Sequence, residues 1–368
     1  MTPSTFSDVV NKYAGQCRRL EVALSIYGSR LSLPGPFPLL SSLALSMSPF
    51  HFGSNAVLAT VKDSPRLREL RLFHNFTLSN VSFNALLTCL EIQQRVSLRE
   101  CAGIFLRFPT LLYLRLDIDP EATPAPPVGD PPVFQSLDLD GNGRLLLDHL
   151  TLPFLHRLHF SIDTEEAHGS LLAFLQRSTF PLSDLTLRFR TFEVDDGFLA
   201  DCFRAVPRLQ ALNLEYAEPD AMSLVLYNLV SLDLLPDLQT LSVREPESRC
   251  GFCYDEVIDM LRARLGSAPT PLSSVELILL GPPTQLCRGS ESPWFSGYEQ
   301  SPPQEDKKAI QRFIKGGLRF RFHSPHIEWP KVKGPARDEL LEFPIPHPNL
   351  QIYDAYVFQV ANDTVFAP

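Results

Sequence analysis

The sequence predicts an α/β solenoid, with parallel strands on a concave face and helices on a convex face. Three observations predict it. Apolar alternations of the form L-x-x-L-x-L, many introduced by Pro, return along most of the chain. Their middle leucines are 27 residues apart from Leu43 to Leu70, from Leu158 to Leu185 and from Leu185 to Leu212. Between the alternations the hydrophobic period changes from 2 to about 3.6, which is the change from strand to helix.

In chain order, the first predicted strands run through Leu40, Leu43 and Leu45, and through Leu67, Leu70 and Leu72 in PRLRELRL. A degenerate copy follows at Val96 and Leu98, then Leu111, Leu114 and Leu116, Phe134, Leu137 and Leu139, and Leu155, Leu158 and Phe160. Leu182, Leu185 and Leu187 lead to Leu209, Leu212 and Leu214 in PRLQALNL, then to Leu238, Leu241 and Val243, and to Leu272, Val275 and Leu277. The repeats are irregular, of about 21–34 residues.

Helices are predicted between the strands over 55–62, 81–89, 165–176, 195–206, 221–229 and 254–265. In the segment 195–206, Phe198, Leu199, Cys202, Phe203 and Val206 share one face, while Asp195 and Asp196 stand in the first turn, where the helix dipole favours acids. Pro65, Pro181, Pro207 and Gly266 supply stop signals. One strand and one helix cannot bury enough apolar surface to offset the entropy of ordering them, so each unit must stack on copies of itself.

The predicted organisation is a helical N-terminal cap over 1–19, the repeat array over 20–280 and a Pro-rich surface loop over 281–304. A last helix–strand unit follows over 305–323, with Ile310, Phe313 and Ile314 on the helix and Leu318, Phe320 and Phe322 on the strand. A cap or tail completes the chain over 324–368. A second Pro-rich interruption covers 119–132, and the loop over 281–304 carries Trp294, Phe295 and Tyr298 as a binding hint. The most basic patch, Lys307, Lys308, Arg312 and Lys315, fits a solvated helix face.

Composition bounds the function. In a chain of 368 residues with 44% apolar residues a large core can be buried, and 33 prolines favour many short connections. A net charge of −9 opposes general nucleic-acid binding, because neutralising phosphates needs clustered Lys and Arg. No basic leader and no apolar run of roughly 18 residues is present, so no membrane is expected and the expected setting is cytoplasmic or nuclear. The seven cysteines, Cys17, Cys89, Cys101, Cys202, Cys250, Cys253 and Cys287, are scattered and odd in number, which predicts free, mostly buried thiols.

The segments PRLRELRLFHN, VFQSLDLDGN and PRLQALNL resemble leucine-rich repeats, whose L-x-x-L-x-L-x-x-N marks a strand and the turn after it. Asn75 and Asn142 hold the Asn position; Ser48, Asp119 and Asp163 stand in for it, while Arg190, Ala217 and Pro246 do not. The long, Pro-rich repeats are similar to the repeat portion of fungal F-box proteins, over roughly residues 20–323. The resemblance implies a horseshoe-shaped leucine-rich-repeat solenoid and the substrate-recognition part of an F-box-type ubiquitin ligase. A cullin-ligase adaptor would join it if an F-box precedes this chain. No F-box signature is found here: Pro3 lacks its context, and the only tryptophans are Trp294 and Trp329.

Short segments resemble chemical motifs. Asp138, Asp140, Asn142 and Gly143 match the opening of an EF-hand loop, but the twelfth position is His149, where a bidentate Glu is needed, and the same residues fit a strand and turn. Cys250-Gly-Phe-Cys253 lacks a second pair for zinc, with His323 and His326 distant in sequence, and no thioredoxin-like pattern surrounds it. G-x-S-x-G, G-x-x-x-x-G-K-[ST], G-x-G-x-x-G and H-E-x-x-H do not occur. No cofactor or metal is expected.

In a strand L-x-L-x the intervening residues point to the concave face. In order these are Ala44 and Ser46, Arg71 and Phe73, Ser97 and Arg99, Arg115 and Asp117, Asp138 and Asp140, His159 and Ser161, Thr186 and Arg188, Asn213 and Glu215, and Ser242 and Arg244. A protein or peptide ligand is expected along this row, with the arginines and Phe73 as anchors. Reversing Arg71, Arg115 and Arg188 to Glu is expected to abolish capture with the melting temperature nearly unchanged. The function expected is thus a non-catalytic protein–protein interaction module. The alternatives are a structural or scaffold repeat protein with no ubiquitin link, and an unrecognised hydrolase.

Overall fold

The computed structural model describes residues 12–24, 36–47, 64–73, 86–119, 133–178, 181–189, 196–215, 219–245, 254–267, 272–279, 304–323 and 328–329. These fall into two compact units, one up to Leu155 and one from His156. In the first, β1 (Arg19–Leu24), β2 (Ser42–Met47), β3 (Glu69–Phe73), β4 (Cys89–Val96), β5 (Tyr113–Ile118) and β6 (Ser136–Gly141) pair in sequence order, all parallel. Helix α1 (Leu98–Arg107) follows β4 and the short α2 (Arg144–Leu147) follows β6.

The second unit repeats the arrangement with more helix. β7 (Arg157–Ile162), β8 (Asp184–Phe189), β9 (Ala211–Glu215), β10 (Thr240–Glu245), β11 (Ser274–Leu279) and β12 (Arg319–His323) are again parallel and in order. The helices α3 (Glu165–Arg177), α4 (Asp196–Ala205), α5 (Pro219–Val230), α6 (Tyr254–Ser267) and α7 (Gln304–Lys315) alternate with them. The two-residue strand β13 (Glu328–Trp329) is antiparallel to β12, within the predicted tail. Parallel strands in sequence order are therefore common to both units, and the regular strand–helix alternation of an α/β architecture is seen in the second, with helices after β4 and β6 among the described residues of the first.

Register explains why the leucines recur. Leu20, Leu43, Leu70, Leu90, Leu114 and Leu137 lie side by side across the first unit, and Leu158, Leu185, Leu212, Leu241, Val275 and Phe320 across the second. None of these twelve side chains is more than 4% exposed, so each column is an apolar spine. At the entry to most strands one carbonyl accepts two successive N–H groups of the next repeat. Arg68 O takes Thr88 N and Cys89 N at 2.9 and 3.0 Å, and Gln210 O takes Gln239 N and Thr240 N at 2.8 and 2.9 Å. The backbone of each turn is thus satisfied by its neighbour, which fixes the register on which the outer residues depend.

Three expectations change. The fourth strand is Cys89–Val96, with Leu90 and Ile92 buried in it and Leu87 buried just before it, and not the copy expected at Val96 and Leu98. Those two residues flank Ser97, the N-cap of α1: its Oγ accepts the Glu100 N–H at 3.3 Å while Glu100 Oε2 accepts the Ser97 N–H at 3.1 Å. Second, the array gains a strand at Arg19–Leu24, where Leu20 and Val22 are buried. Third, of the predicted helix 81–89, residues 86–88 are non-helical and Cys89 begins β4. The helix at 55–62, residues 120–132 and 280–303 with Trp294, Phe295 and Tyr298, and the tail beyond Trp329 lie outside the described residues.

The second unit holds a buried guanidinium. Arg264 on α6 is 1% exposed and donates to the carbonyl oxygens of Leu229 (2.6 Å), Leu235 (2.8 Å), Ser231 (3.0 Å) and Leu234. These belong to the C-terminal end of α5 and the turn after it, where helical carbonyls lack intrahelical partners and the dipole is negative. Leu235 stands at φ 49°, a strained conformation for a leucine, and its carbonyl is one of the four acceptors. Burial pushes the Arg264 pKa down.

Candidate interaction face on the strands

With the leucines turned inward, each strand presents its other residues on an open face, aligned in rows by the register. In the first unit the middle row reads Glu21, Ala44, Arg71, Glu91, Arg115, Asp138, and the residues are direct cross-strand neighbours. Glu91 sits between two arginines: its carboxylate lies 3.6 Å from Arg71 Nε and 3.2 Å from Arg115 Nη1. Arg115 Nε is 3.3 Å from Asp138 Oδ2, and its Nη2 is 3.6 Å from Asp140 Oδ2. One guanidinium thus serves three carboxylates, at 27% side-chain exposure. Its burial opposes its charge, but Asp138, Glu91 and Asp140 outweigh burial and hold its pKa above the ordinary value.

Asp117 and Asp140 are direct cross-strand partners, two like charges on adjacent strands. The backbone beside them is tight. Gly141 ends β6 at φ 60°, and a Cβ there would lie 2.4 Å from Asp117 Oδ1 and 2.8 Å from Ile118 O, so glycine is required on both counts. Asp138 and Asp140, whose spacing suggested a calcium loop, stand on β6 against Arg115; the backbone N–H of Asn142 donates to Ile118 O at 3.2 Å in the turn that follows. Phe73 is half-buried on β3 beside Ser46, and Arg71 is the most exposed arginine of the cluster at 39%.

The second unit inverts the pattern. Glu215 on β9 receives Arg188 Nη2 at 2.8 Å and Nε at 3.1 Å, with Arg244 Nη1 at 3.7 Å and His159 Nε2 at 3.7 Å. One carboxylate is therefore shared by two guanidiniums and an imidazole. Next to it Asn213 donates from Nδ2 to Asp184 Oδ1 (3.0 Å) and to Thr186 Oγ1 (3.3 Å). Burial pushes the Asp184 pKa up, against the pull of Arg157, the Asn213 hydrogen bond and His159.

Of the predicted face residues, Arg71, Arg115, Asp138 and Asp140 come together around Glu91 and Arg115, and His159, Arg188, Glu215 and Arg244 around Glu215. Asn213, Phe73 and Asp117 stand on the face beside these clusters. Arg99 does not: it lies exposed on α1, because Ser97 caps a helix there and the strand has already ended at Val96. Glu91 fills the position between Arg71 and Arg115 that was expected of Ser97, so the expected basic run from Arg71 to Arg115 is interrupted by an acid. An unchanged melting temperature does not follow from reversing Arg71, Arg115 and Arg188, since Arg115 and Arg188 are pinned by carboxylates: a Glu at 115 would add an acid to a buried acidic cluster, and one at 188 would face Glu215 in place of its main cation.

The thiols follow their burial. Cys17, Cys89, Cys101 and Cys202 are free, and burial pushes all four pKa values up, Cys89 to about 11 and Cys101 to about 12. Cys250, Cys253 and Cys287 lie outside the described residues. Among the described residues no group of three or more His, Cys, Asp or Glu side chains is placed to hold a metal ion, and no helix is long and apolar enough to cross a membrane. Compared with known proteins, the chain matches no family model and no curated protein.

Proposed function

We propose that the chain is a leucine-rich-repeat protein whose open strand face binds a protein or peptide partner, without catalytic residues of its own. The observation that carries this reading is the row of charged side chains held in register on successive strands, each strand fixed by a buried leucine behind it. A rigid scaffold that presents one to three outward residues per strand spends little entropy on ordering them at the moment of binding. The L-x-x-L-x-L pattern and the strand-to-strand stacking support the leucine-rich-repeat assignment. A role as the substrate-recognition part of an F-box-type ubiquitin ligase rests on the resemblance alone; co-purification of a cullin-ligase adaptor with the full-length protein tests it.

The binding reading is tested by selecting ligands from an unbiased displayed peptide library and mapping them with variants. Open-face substitutions at partly exposed positions (Arg71→Ala, Phe73→Ala, Asn213→Ala) are expected to weaken the selected ligands about tenfold or more. Helix substitutions at Arg204 and Arg262, which are exposed in i,i+3 ion pairs, are expected to leave them unchanged. The reverse sensitivity would overturn the assignment of the face. Hydrolase activity of the purified chain that vanishes with a single Ser or His substitution would overturn the non-catalytic reading.

A further inference from the structure

We propose that the open face of the second unit binds an acidic peptide through Arg244 and Arg321, recognising acidic side chains three or four residues apart. This inference rests on the reading of the open face as a partner surface and names the class of partner for one half of it.

Among the described outward residues of β7–β12 are five arginines, Arg157, Arg188, Arg244, Arg319 and Arg321, against Asp184, Glu215 and Glu276. In a chain whose net charge is −9 this positive excess is local. The arginines are not equally engaged. Arg188 is taken up by Glu215 through two N–H groups, whereas Arg244 reaches the same carboxylate only at 3.7 Å and is 31% exposed. Arg321 Nη1 stands 3.9 Å from Glu276 Oε1 and is 56% exposed. Both separations exceed hydrogen-bonding reach, so each guanidinium retains donors for a two-point grip on a carboxylate.

The spacing sets what fits. Arg244 and Arg321 stand on β10 and β12 with β11 between them, offset by two residues because Arg244 is level with Ile278 and Arg321 with Glu276. Strands roughly 4.8 Å apart and a rise of about 3.3 Å per residue put their Cα atoms roughly 12 Å apart, a span that an extended peptide covers in three to four residues. Ile278, half-buried in the gap, offers an apolar seat for the intervening residues. The interleaved Glu215 and Glu276 would repel a continuous phosphate backbone, while two separated carboxylates avoid them, which favours a peptide over a nucleic acid.

The test uses fluorescein-labelled Gly/Ser peptides and the full chain in low salt, read by anisotropy. Peptides with Glu-x-x-Glu or Glu-x-x-x-Glu are expected to bind and to weaken as salt rises. They should lose about tenfold in affinity with Arg244→Ala plus Arg321→Ala, and tighten severalfold with Glu276→Gln. Both arginines are partly exposed and outside the spine, and the Glu276→Gln gain cannot arise from misfolding. Equal binding of a peptide with adjacent glutamates, indifference to the two arginines, or preferential binding of single-stranded DNA would overturn the proposal. If the spaced acidic peptides fail while library-selected ligands remain sensitive to open-face substitutions, the acidic preference falls and the partner surface stands; insensitivity of both removes both.

Discussion

The two units solve one electrostatic problem with opposite signs. In the first, Arg115 is shared by Glu91, Asp138 and Asp140; in the second, Glu215 is shared by Arg188, Arg244 and His159. The backbone is the same in both, parallel strands in register with a leucine spine behind, and only the identities of the outward residues differ. A repeat scaffold therefore fixes where charges stand, and the sequence at a few outward positions chooses the sign. The two hubs are unequal in cost, however. Carboxylates are short and stay near the sheet, whereas arginine stems lift their charge towards water, so the acid-rich hub depends more on its central arginine.

Four substitutions sharpen or break the comparison. The largest effect is expected at Arg264, a guanidinium of the second unit satisfied wholly by carbonyl oxygens. Arg264→Met leaves four acceptors without it, three of them buried, and should cost about 4 kcal/mol in a denaturant titration. A loss below about 1 kcal/mol would mean that water replaces it there.

Next is Arg115→Met, expected to cost about 3 kcal/mol at neutral pH because three carboxylates lose their shared cation. The carboxylates left behind repel one another, so the deficit should shrink as salt is raised. A deficit independent of salt would show that packing, not charge, was lost.

Glu215→Gln should cost less, about 1 kcal/mol, and much of the loss should be recovered at high salt, since Gln keeps an acceptor for Arg188 and the cations left behind are screened. Equal losses at Arg115 and Glu215 would contradict the inequality of the hubs. The smallest effect belongs to Asp184, whose pKa is raised chiefly by burial. Its carboxylate therefore opposes folding at neutral pH, and stability should rise slightly as pH drops through a value above the ordinary carboxylate pKa near 3.9. Asp184→Asn should remove that rise and gain a few tenths of a kcal/mol at pH 7, as followed by thermal unfolding across pH.

Most of the strand order was legible in the sequence because period-2 leucines survive the irregular spacing. Leu70, Leu114, Leu185 and Leu212 are all spine residues, and the helices 165–176, 195–206, 221–229 and 254–265 lie within a residue or two of the observed ones. The degenerate repeat misled because Val96 and Leu98 alternate in the sequence while belonging to a strand end and a helix start. The signal that separates them is Ser97-x-x-Glu100, a capping box, together with Leu87, Leu90 and Ile92 just upstream. That one displacement hid Glu91, and with it the fact that Arg115 is shared and not free. Asp184 and Arg321 are hidden for another reason: a strand presents a third outward residue before its first leucine, and the last strand follows a long Pro-rich interruption that separates it from the regular repeats. Arg264 could not be read at all, since nothing in a helical sequence says that its arginine will meet the carbonyls of an earlier turn.

The most direct measurement is hydroxyl-radical footprinting of the chain with and without a library-selected peptide. The account predicts protection at Phe73 and Tyr113 for a peptide bound to the first unit, or at His159 and Ile278 for one bound to the second, with exposed Tyr227 and Leu106 on the helices unchanged. Protection of Tyr227 and Leu106 with the strand residues unaffected would contradict it.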